Sequence, residues 1–475
     1  MKQYDIIVIG GGAGGLVVAA GAAGLGAKVA LIDKSKLGGD CLWTGCVPTK
    51  SLIHSASIVH AAKQAAAFGL QVSGQPDLGQ AVTRLQEAIA HIGKHDAPER
   101  FESLGIDVYR GFAAFHSAYE IMIDGHTLIS GKRIVIATGS RSVIPPVKGL
   151  AEVGFLTNES ALQLKQAPES LLVMGGGPIG LEFAQSFARF GSRVTVVEAA
   201  PGILSREDQE MVPYVLQALE QEGVRFLTHT QVTAVDLQDG HKRVMFEHAG
   251  QSSYQSFDEI LVAVGRRANS DQLQLERVGI VCRPNQSYIA VNAYLQTNLP
   301  HVYAIGDVNG AYPFTHKALY EGKIVVSSAA LGFKRKADYS RMPWVTYTDP
   351  ELYHLGLTEE EARAQYGKIS VYRTSLADVD RFVADRDMLG CVKIITRPSG
   401  MIVGAHAVGK GVGDYMQEVA FAMHYGHKIG SISHVIHPYP THIGAVQRTA
   451  DQYWREKLFS GILPRLIKAY MRWFR

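Results

Sequence analysis

The chain begins as short apolar runs separated by glycine-rich breaks. Residues 4–10, YDIIVIG, read as a buried strand; GGAGG interrupts it, an apolar stretch follows as a helix, and KVALID reads as a second strand. Brief apolar runs closed by glycine fit strands covered on both faces. The same order returns over SLLVMGGGPIGLEFAQSFARFGSRVTVVE. Two strand–turn–helix–strand units predict two nucleotide-binding domains. Between them, residues 52–100 predict long Ala-rich helices, and residues 105–137 predict short strands turning at Gly111, Gly125 and Gly131. HVYAIGDV follows the second unit. From about Pro343 the pattern continues without a Gly-rich nucleotide turn, which predicts a further domain.

The expected fold class is α/β, with two Rossmann-like dinucleotide-binding domains and a C-terminal α+β domain. The expected boundaries are 1–150 for the first part of domain one, 151–275 for an inserted second domain, 276–342 for the return to the first, 343–455 for the third, and 456–475 for a basic tail. A length of 475 residues fits two or three domains, and 47% hydrophobic residues supply large cores. A net charge of +3 does not point to nucleic acid. Residues 6–27 carry no charge, but Gly and Ala dominate them and KVALID follows directly. Neither a signal peptide nor a membrane span is expected there. The expected setting is cytoplasmic and reducing.

Gly10, Gly12 and Gly15 form G-x-G-x-x-G directly after a strand. The three glycines serve a tight turn, close approach of a pyrophosphate, and helix-to-strand packing. The helix N-terminus then faces the phosphates. Asp33 ends the next strand, where a carboxylate can bind a ribose hydroxyl. Gly175, Gly177 and Gly180, with Glu198, repeat the device. Glu198 accepts from a free 2′-hydroxyl and repels a 2′-phosphate, which favours NADH over NADPH. Arg193 and Arg206 are near in sequence and would weaken that preference if they reached the site.

Four cysteines in so long a chain exclude a disulfide scaffold. Cys282 and Cys391 are isolated. Cys41 and Cys46 stand in C-x4-C spacing within GGDCLWTGCVPTK, and Pro48 fits the first turn of a following helix. Cys46 then lies at a helix N-terminus, where a thiolate is stabilised. A zinc half-site would need further ligands, and no second cysteine pair exists; no metal site is expected. The pair reads as a redox-active disulfide, with Cys46 toward a flavin and Cys41 toward the substrate.

These motifs, with IVIATGS, GGGPIGLE, LVAVGRRAN, HVYAIGDV and MPWVTYTDPELYHLGLTEEEA, resemble the pyridine nucleotide–disulfide oxidoreductases along essentially the whole chain. The family includes dihydrolipoyl dehydrogenase, glutathione reductase and mercuric reductase. The resemblance implies FAD on the first Gly turn, on Thr138 and Gly139 of the ATG motif, and on Gly306 and Asp307 of the GD motif. It implies NAD(P)H on the second Gly turn, with Gly265 of the VGRR motif nearby. It also implies a Lys50–Glu182 pair beside the flavin. Electrons would pass from NAD(P)H to flavin, to Cys41–Cys46, and to an acceptor. The third domain would form a homodimer and send its C-terminal segment into the partner's active site.

The C-terminal signature of the disulfide reductases is His-Pro-Thr-x-x-Glu, whereas this chain reads HVIHPYPTHIGAVQR. Alignment on Pro440-Thr441 puts Tyr439 at the His position and Gly444 at the Glu position. Tyr439 resembles mercuric reductases, but the sequence has no cysteine beyond Cys391 to match their vicinal C-terminal pair, and their N-terminal metal-binding domain is not expected. His437 is a candidate displaced acid/base, in a stretch that also holds His434 and His442. The expected acceptor is a disulfide, a persulfide or a thiol-bound metal. Lipoamide is the alternative, and a membrane-bound quinone is a more distant one. In the tail, Arg465, Lys468, Arg472 and Arg475 share one helix side and apolar residues the rest, which fits either an anionic membrane surface or packing within the dimer.

Overall fold

The apolar runs are central strands of parallel sheets, in a computed structural model that describes residues 1–460 and 463–474. The early elements are β1 (Lys2–Ile9), α1 (Ala13–Gly24), β2 (Val29–Asp33), α2 (Gly39–Trp43), α3 (Cys46–Lys63) and α4 (Leu78–Gly93). They are followed by β3 (Asp107–Arg110), β4 (Ala113–Ser117), β5 (Glu120–Ile123) and β6 (Thr127–Ile136). The strand order is β3-β2-β1-β6-β5-β4. β1, β2, β3 and β6 run parallel, and Val302–Ala304 adds a parallel strand to the second half of β6. β4 and β5 turn back antiparallel on its first half.

Both faces of this sheet are covered, which explains why β1 reads as an unbroken apolar run. Ile7 and Ile9 enter one core with Phe115 and Ile121, while Ile6 and Val8 enter another with Val18 and Ala22 of α1. Alternate side chains of one strand thus seed two cores. Gly111 and Gly125 lie between strands as the sequence predicts, but Gly131 does not. It sits inside β6 opposite Tyr4, where a Cβ would lie 2.8 Å from the Ile7 side chain. Close packing, rather than a turn, requires that glycine.

The second nucleotide unit has parallel strands Arg193–Val197, Ser170–Met174 and Glu259–Val262, with helix Pro178–Arg189 after the Gly turn. An antiparallel meander, Thr230–Gln238, His241–His248 and Gln251–Phe257, is built on two-residue turns at Asp239-Gly240 and Ala249-Gly250. All four turn residues have positive φ, the backbone that matches strand twist in a tight hairpin.

These elements belong to one unit, Met1–Ala199 with His229–Asp338. The other unit combines Ala200–Thr228 with Tyr339–Arg475. It holds a five-stranded antiparallel sheet in the order Pro343–Thr346, Glu351–Gly356, Ile402–Gly409, Cys391–Thr396, Ser370–Ser375. Helix Gly444–Phe459 buries Ala445, Val446 and Ala450 in its core. Charged contacts fasten residues 200–228 to this sheet. Lys393, 2% exposed, is bonded to Asp208 at 2.9 Å, Glu210 at 2.7 Å and Glu359 at 2.9 Å. Glu207 accepts from Trp344 Nε1 at 2.7 Å and pairs with His354 at 3.2 Å.

Candidate active site

The two Gly turns are built alike. Gly10 and Gly175 have φ of +107° and +109°, and a Cβ on either would press to 2.3 or 2.5 Å from a backbone carbonyl oxygen. A Cβ on Gly15 or Gly180 would come within 1.9 or 2.2 Å of the oxygen of Gly10 or Gly175. The protein's own packing therefore requires the outer glycines. The middle ones differ: a Cβ on Gly12 would lie 3.8 Å from its nearest neighbour, and one on Gly177 would meet nothing within 4 Å. Their small size leaves room for a ligand against the backbone. Neither helix that follows has an acidic first turn or a side-chain cap, so the N-terminal dipole suits an anion. Asp33 Oδ2 accepts from Gly11 N at 2.6 Å, and Glu198 Oε2 accepts from Gly176 N at 2.7 Å. Both carboxylates are thus held at their turns. The residues fit FAD at the first and a nicotinamide dinucleotide at the second.

Arg193 begins the strand that runs toward Glu198 and is exposed at its far end. Four residues of extended chain, about 13 Å, separate its Cα from the turn end. Arg206 belongs to the other unit.

Thr138 Oγ1 donates to the carbonyl of Asn269 at 2.8 Å, and Gly139 has φ of +70°. The Gly265 carbonyl accepts from Val143 N at 2.9 Å. Asp307 accepts from Ser140 Oγ at 2.6 Å, and Arg266 reaches Ser140 and Asp40, each at 2.7 Å. The Gly306-Asp307 loop is braced from below by a fully buried Lys317–Glu321 pair. Glu321 accepts from Gly306 N at 2.6 Å, and Lys317 donates to the Gly306 carbonyl at 2.9 Å. Sequence reasoning missed this brace. The run KALYEG carries its i,i+4 spacing, but only burial gives that spacing meaning.

Cys41 lies on α2, and Cys46 is the first residue of α3. A Cβ on Gly45 would lie 2.9 Å from the Asp40 carbonyl oxygen, so glycine is needed for the chain to fold back this tightly. Both cysteines are thiols here, hydrogen bonded to each other. Cys46 is also 3.4 Å from Thr315 Oγ1. The hydrogen bond from Cys41, that of Thr315 and the Lys50 charge together bring the Cys46 thiol down to about 6, against the effect of burial. Cys41 is pushed upward by the same hydrogen bond and by burial. Within the pair, Cys46 is the thiolate and Cys41 keeps the proton. Thr315 lies 269 residues from Cys46 and has no signal in the sequence.

Lys50 follows one turn after Cys46, and its Nζ lies 2.9 Å from Glu182 Oε2. Glu182 is 8% exposed and sits on the helix that follows the second Gly turn. This pair joins the cysteine helix to the nicotinamide turn. A cavity of about 340 Å³ opens beside Cys41, with apolar walls that include Leu16, Val17, Val47 and Ile92. Asp96 and Arg100 supply its polar edge.

In the other unit, Tyr439 is 79% exposed and donates to Asp380 at 2.8 Å. Asp380 also accepts from Arg448 at 3.0 Å and pushes the Tyr439 phenol above its ordinary range. Asp380 was not visible as a partner in the sequence. Gly444 opens the helix and supplies no carboxylate. His437 Nε2 is 3.0 Å from Glu418, its side chain is 4% exposed, and its buried Nδ1 has no partner among the described residues. His442 pairs with Asp385 at 2.9 Å, and His434 stacks on Trp454. Among the described residues no group of three metal-ligating side chains assembles.

Comparison with known proteins agrees with this arrangement. The family model for pyridine nucleotide-disulphide oxidoreductases matches residues 4–322, and that for the family's dimerisation domain matches residues 342–450. A mercuric reductase of Lysinibacillus sphaericus is 32% identical over 441 residues, 92% of this chain and 80% of that protein. A dihydrolipoyl dehydrogenase of Thermus scotoductus is 34% identical over 470 residues, 96% of this chain and 99% of that protein. Among solved structures, the Cu(II) complex of the HOCl-induced flavoprotein disulfide reductase RclA from Escherichia coli superposes with a TM-score of 0.85 at 28% identity, covering 95% of this chain and all of that one.

Proposed function

The chain belongs to the pyridine nucleotide–disulphide oxidoreductase family, and from that premise we propose that its acceptor is a soft metal ion held by thiolates, with NADH as the preferred donor. It is a flavoprotein of the family's FAD- and NAD(P)H-dependent type, and its dimerisation domain supports a homodimer. FAD, when bound, accepts a hydride from the nicotinamide and passes two electrons on.

The protein's residues divide the remaining work. Gly12 and Gly177 admit the two pyrophosphates, and Asp33 and Glu198 orient the riboses. Thr138, Gly139, Gly306, Asp307 and Gly265 shape the rest of the dinucleotide surfaces. Lys50, held by Glu182, favours negative charge beside it and supports the Cys46 thiolate. Two electrons and one proton reduce the Cys41–Cys46 disulfide, breaking the S–S bond to leave a thiol at Cys41 and a thiolate at Cys46. Cys41 faces the apolar cavity and meets the acceptor.

The observation that carries the acceptor assignment is Tyr439 bonded to Asp380. Disulfide exchange needs a base that takes and returns a thiol proton near neutral pH. A phenol pushed upward by a carboxylate keeps its proton near neutral pH and does not serve as that base. A metal ion bound by thiolates and reduced in place requires no such relay. The relatives named mercuric reductase, and the structural neighbour solved with Cu(II), support the same direction.

A second reading rests on His437 and Glu418, which form a His–carboxylate pair two residues before the usual place. If His437 is the base, the acceptor is a dihydrolipoyl-type disulfide. We place the enzyme in the cytoplasm, where the dithiol stays reduced, with peripheral membrane contact confined to the tail. Among the described residues no helix is long and apolar enough to cross a membrane.

An anaerobic acceptor screen with NADH tests the assignment. Hg(II) or Cu(II) in excess thiol should turn over faster than lipoamide, small disulfides or quinones, and His437→Ala should leave that rate unchanged. Fast lipoamide turnover abolished by His437→Ala would select the second reading.

A further inference from the structure

We propose that the C-terminal helix Leu463–Trp473 lies flat in the surface of an anionic lipid bilayer. This rests on the membrane contact proposed for the tail and adds the lipid chemistry; it does not depend on the acceptor.

The helix contrasts with the one before it. Gly444–Phe459 buries Ala445, Val446, Thr449 and Ala450, whereas residues 465–474 are all exposed. Leu466, Ile467, Tyr470, Met471, Trp473 and Phe474 are apolar or aromatic and open to solvent, Trp473 at 87%. At about 100° per residue, these side chains span an arc of about 160°, and Arg465, Lys468 and Arg472 cluster within about 60° on the opposite side. Arg475 lies outside the described residues. A contiguous apolar face of this kind marks an interaction surface.

Charge selects the occupant. Residues 457–475 contain five Lys or Arg and no Asp or Glu. A second copy of the tail would bring cations against cations. An anionic bilayer accepts both faces at once, with the apolar arc among acyl chains, the cations at phosphates, and Trp473 and Tyr470 at headgroup depth. The helix has 11 residues and is about 16 Å long, half the hydrocarbon thickness, so it lies on the membrane rather than across it. The match to the family's dimerisation domain ends at residue 450, before this segment.

Sedimentation of the FAD-loaded, full-length enzyme with vesicles is the test. The enzyme should bind phosphatidylcholine vesicles containing phosphatidylglycerol, leave those of phosphatidylcholine alone, and lose binding in high salt. Trp473 emission should shift to the blue on binding. Combined Lys468→Gln and Arg472→Gln should weaken binding by about fivefold per cation removed. Combined Trp473→Ala and Phe474→Ala should also weaken it, and deletion of residues 460–475 should abolish it. NADH-dependent turnover should be unchanged in all three variants. No sedimentation with either vesicle would overturn both the membrane contact and this proposal. Equal binding to both vesicles would preserve membrane contact and overturn the anionic requirement. A deletion variant that dissociates into monomers would assign the face to the partner copy instead.

Discussion

Two lysines in this molecule hold carboxylates in opposite ways. Lys50 is 35% exposed on its side chain and meets Glu182 at 2.9 Å. Lys393 is 2% exposed and bonded to Asp208, Glu210 and Glu359. Lys50 stands one turn from a thiolate and beside the nicotinamide turn, where a cation must remain available to groups outside its own ion pair. Lys393 is surrounded by negative charge that belongs to the fold, and fastens residues 200–228 to the C-terminal sheet. Exposure, rather than the ion pair itself, separates a lysine placed for chemistry from one placed for structure.

The largest effect expected from breaking this comparison is on stability. Lys393→Met leaves the buried Asp208 carboxylate without its cation and should cost about 3–5 kcal/mol in denaturant unfolding. The flavin–thiolate spectrum of molecules that remain folded should be unchanged. Lys50→Met takes the cation from buried Glu182 and should also lower the unfolding midpoint, but unlike Lys393→Met it should impair the redox chemistry of the molecules that remain folded.

Acidification should separate the two regions next. Cys46, brought down to about 6, is a thiolate above that pH and loses its charge below it. Burial raises Asp208, Glu210 and Glu359, but His406 and then Lys393 at Asp208, Arg373 and then Lys393 at Glu210, and Lys393 with Arg363 at Glu359 bring each net below its ordinary value. Groups with depressed folded values contribute stability above the unfolded carboxylate range, near 4, and lose it as pH falls through the folded values. His406, buried and held near 3, adds to that loss once pH falls below its unfolded value of about 6.5. The thiolate signal should therefore fade around pH 6 while the C-terminal sheet is still folded, as near-ultraviolet circular dichroism would show.

Smaller effects sharpen the redox side. Lys50→Met and Thr315→Val should each raise the Cys46 midpoint, by about one unit for loss of the cation. Thr315 should matter at least as much, because its hydrogen bond is the greater influence. Asp380→Asn should return the Tyr439 phenol toward its ordinary titration, with no change in flavin reduction by NADH or, for a metal acceptor that needs no proton relay, in turnover. Glu198→Ala should lower the NADH/NADPH preference by roughly the value of one hydrogen bond to a charged group, about tenfold.

Some of this was legible in the sequence for a physical reason. The Gly turns, Asp33, Glu198 and the C-x4-C pair are local patterns set by strand and helix geometry over a few dozen residues. Lys50 and Glu182 are far apart in the chain, and their contact was implied by family resemblance rather than by spacing. Thr315, the Lys317–Glu321 brace and Asp380 were not legible. Each acts through a contact that only the folded chain creates, and none interrupts a hydrophobic period. Gly131 was misread because a glycine among polar residues, between Ser130 and Lys132, reads as a turn, although strand packing can require one equally well.

The central claim is that Cys46 is a thiolate poised by Cys41, Thr315 and Lys50, in a relay fed by NADH. Anaerobic titration of the FAD-loaded enzyme with NADH at pH 8 tests it most directly. A long-wavelength thiolate-to-flavin band should rise after two electrons, fade with a midpoint near pH 6, and be absent in Cys46→Ser. Direct bleaching of the flavin with no such band, or a band that persists in Cys46→Ser, would contradict the account.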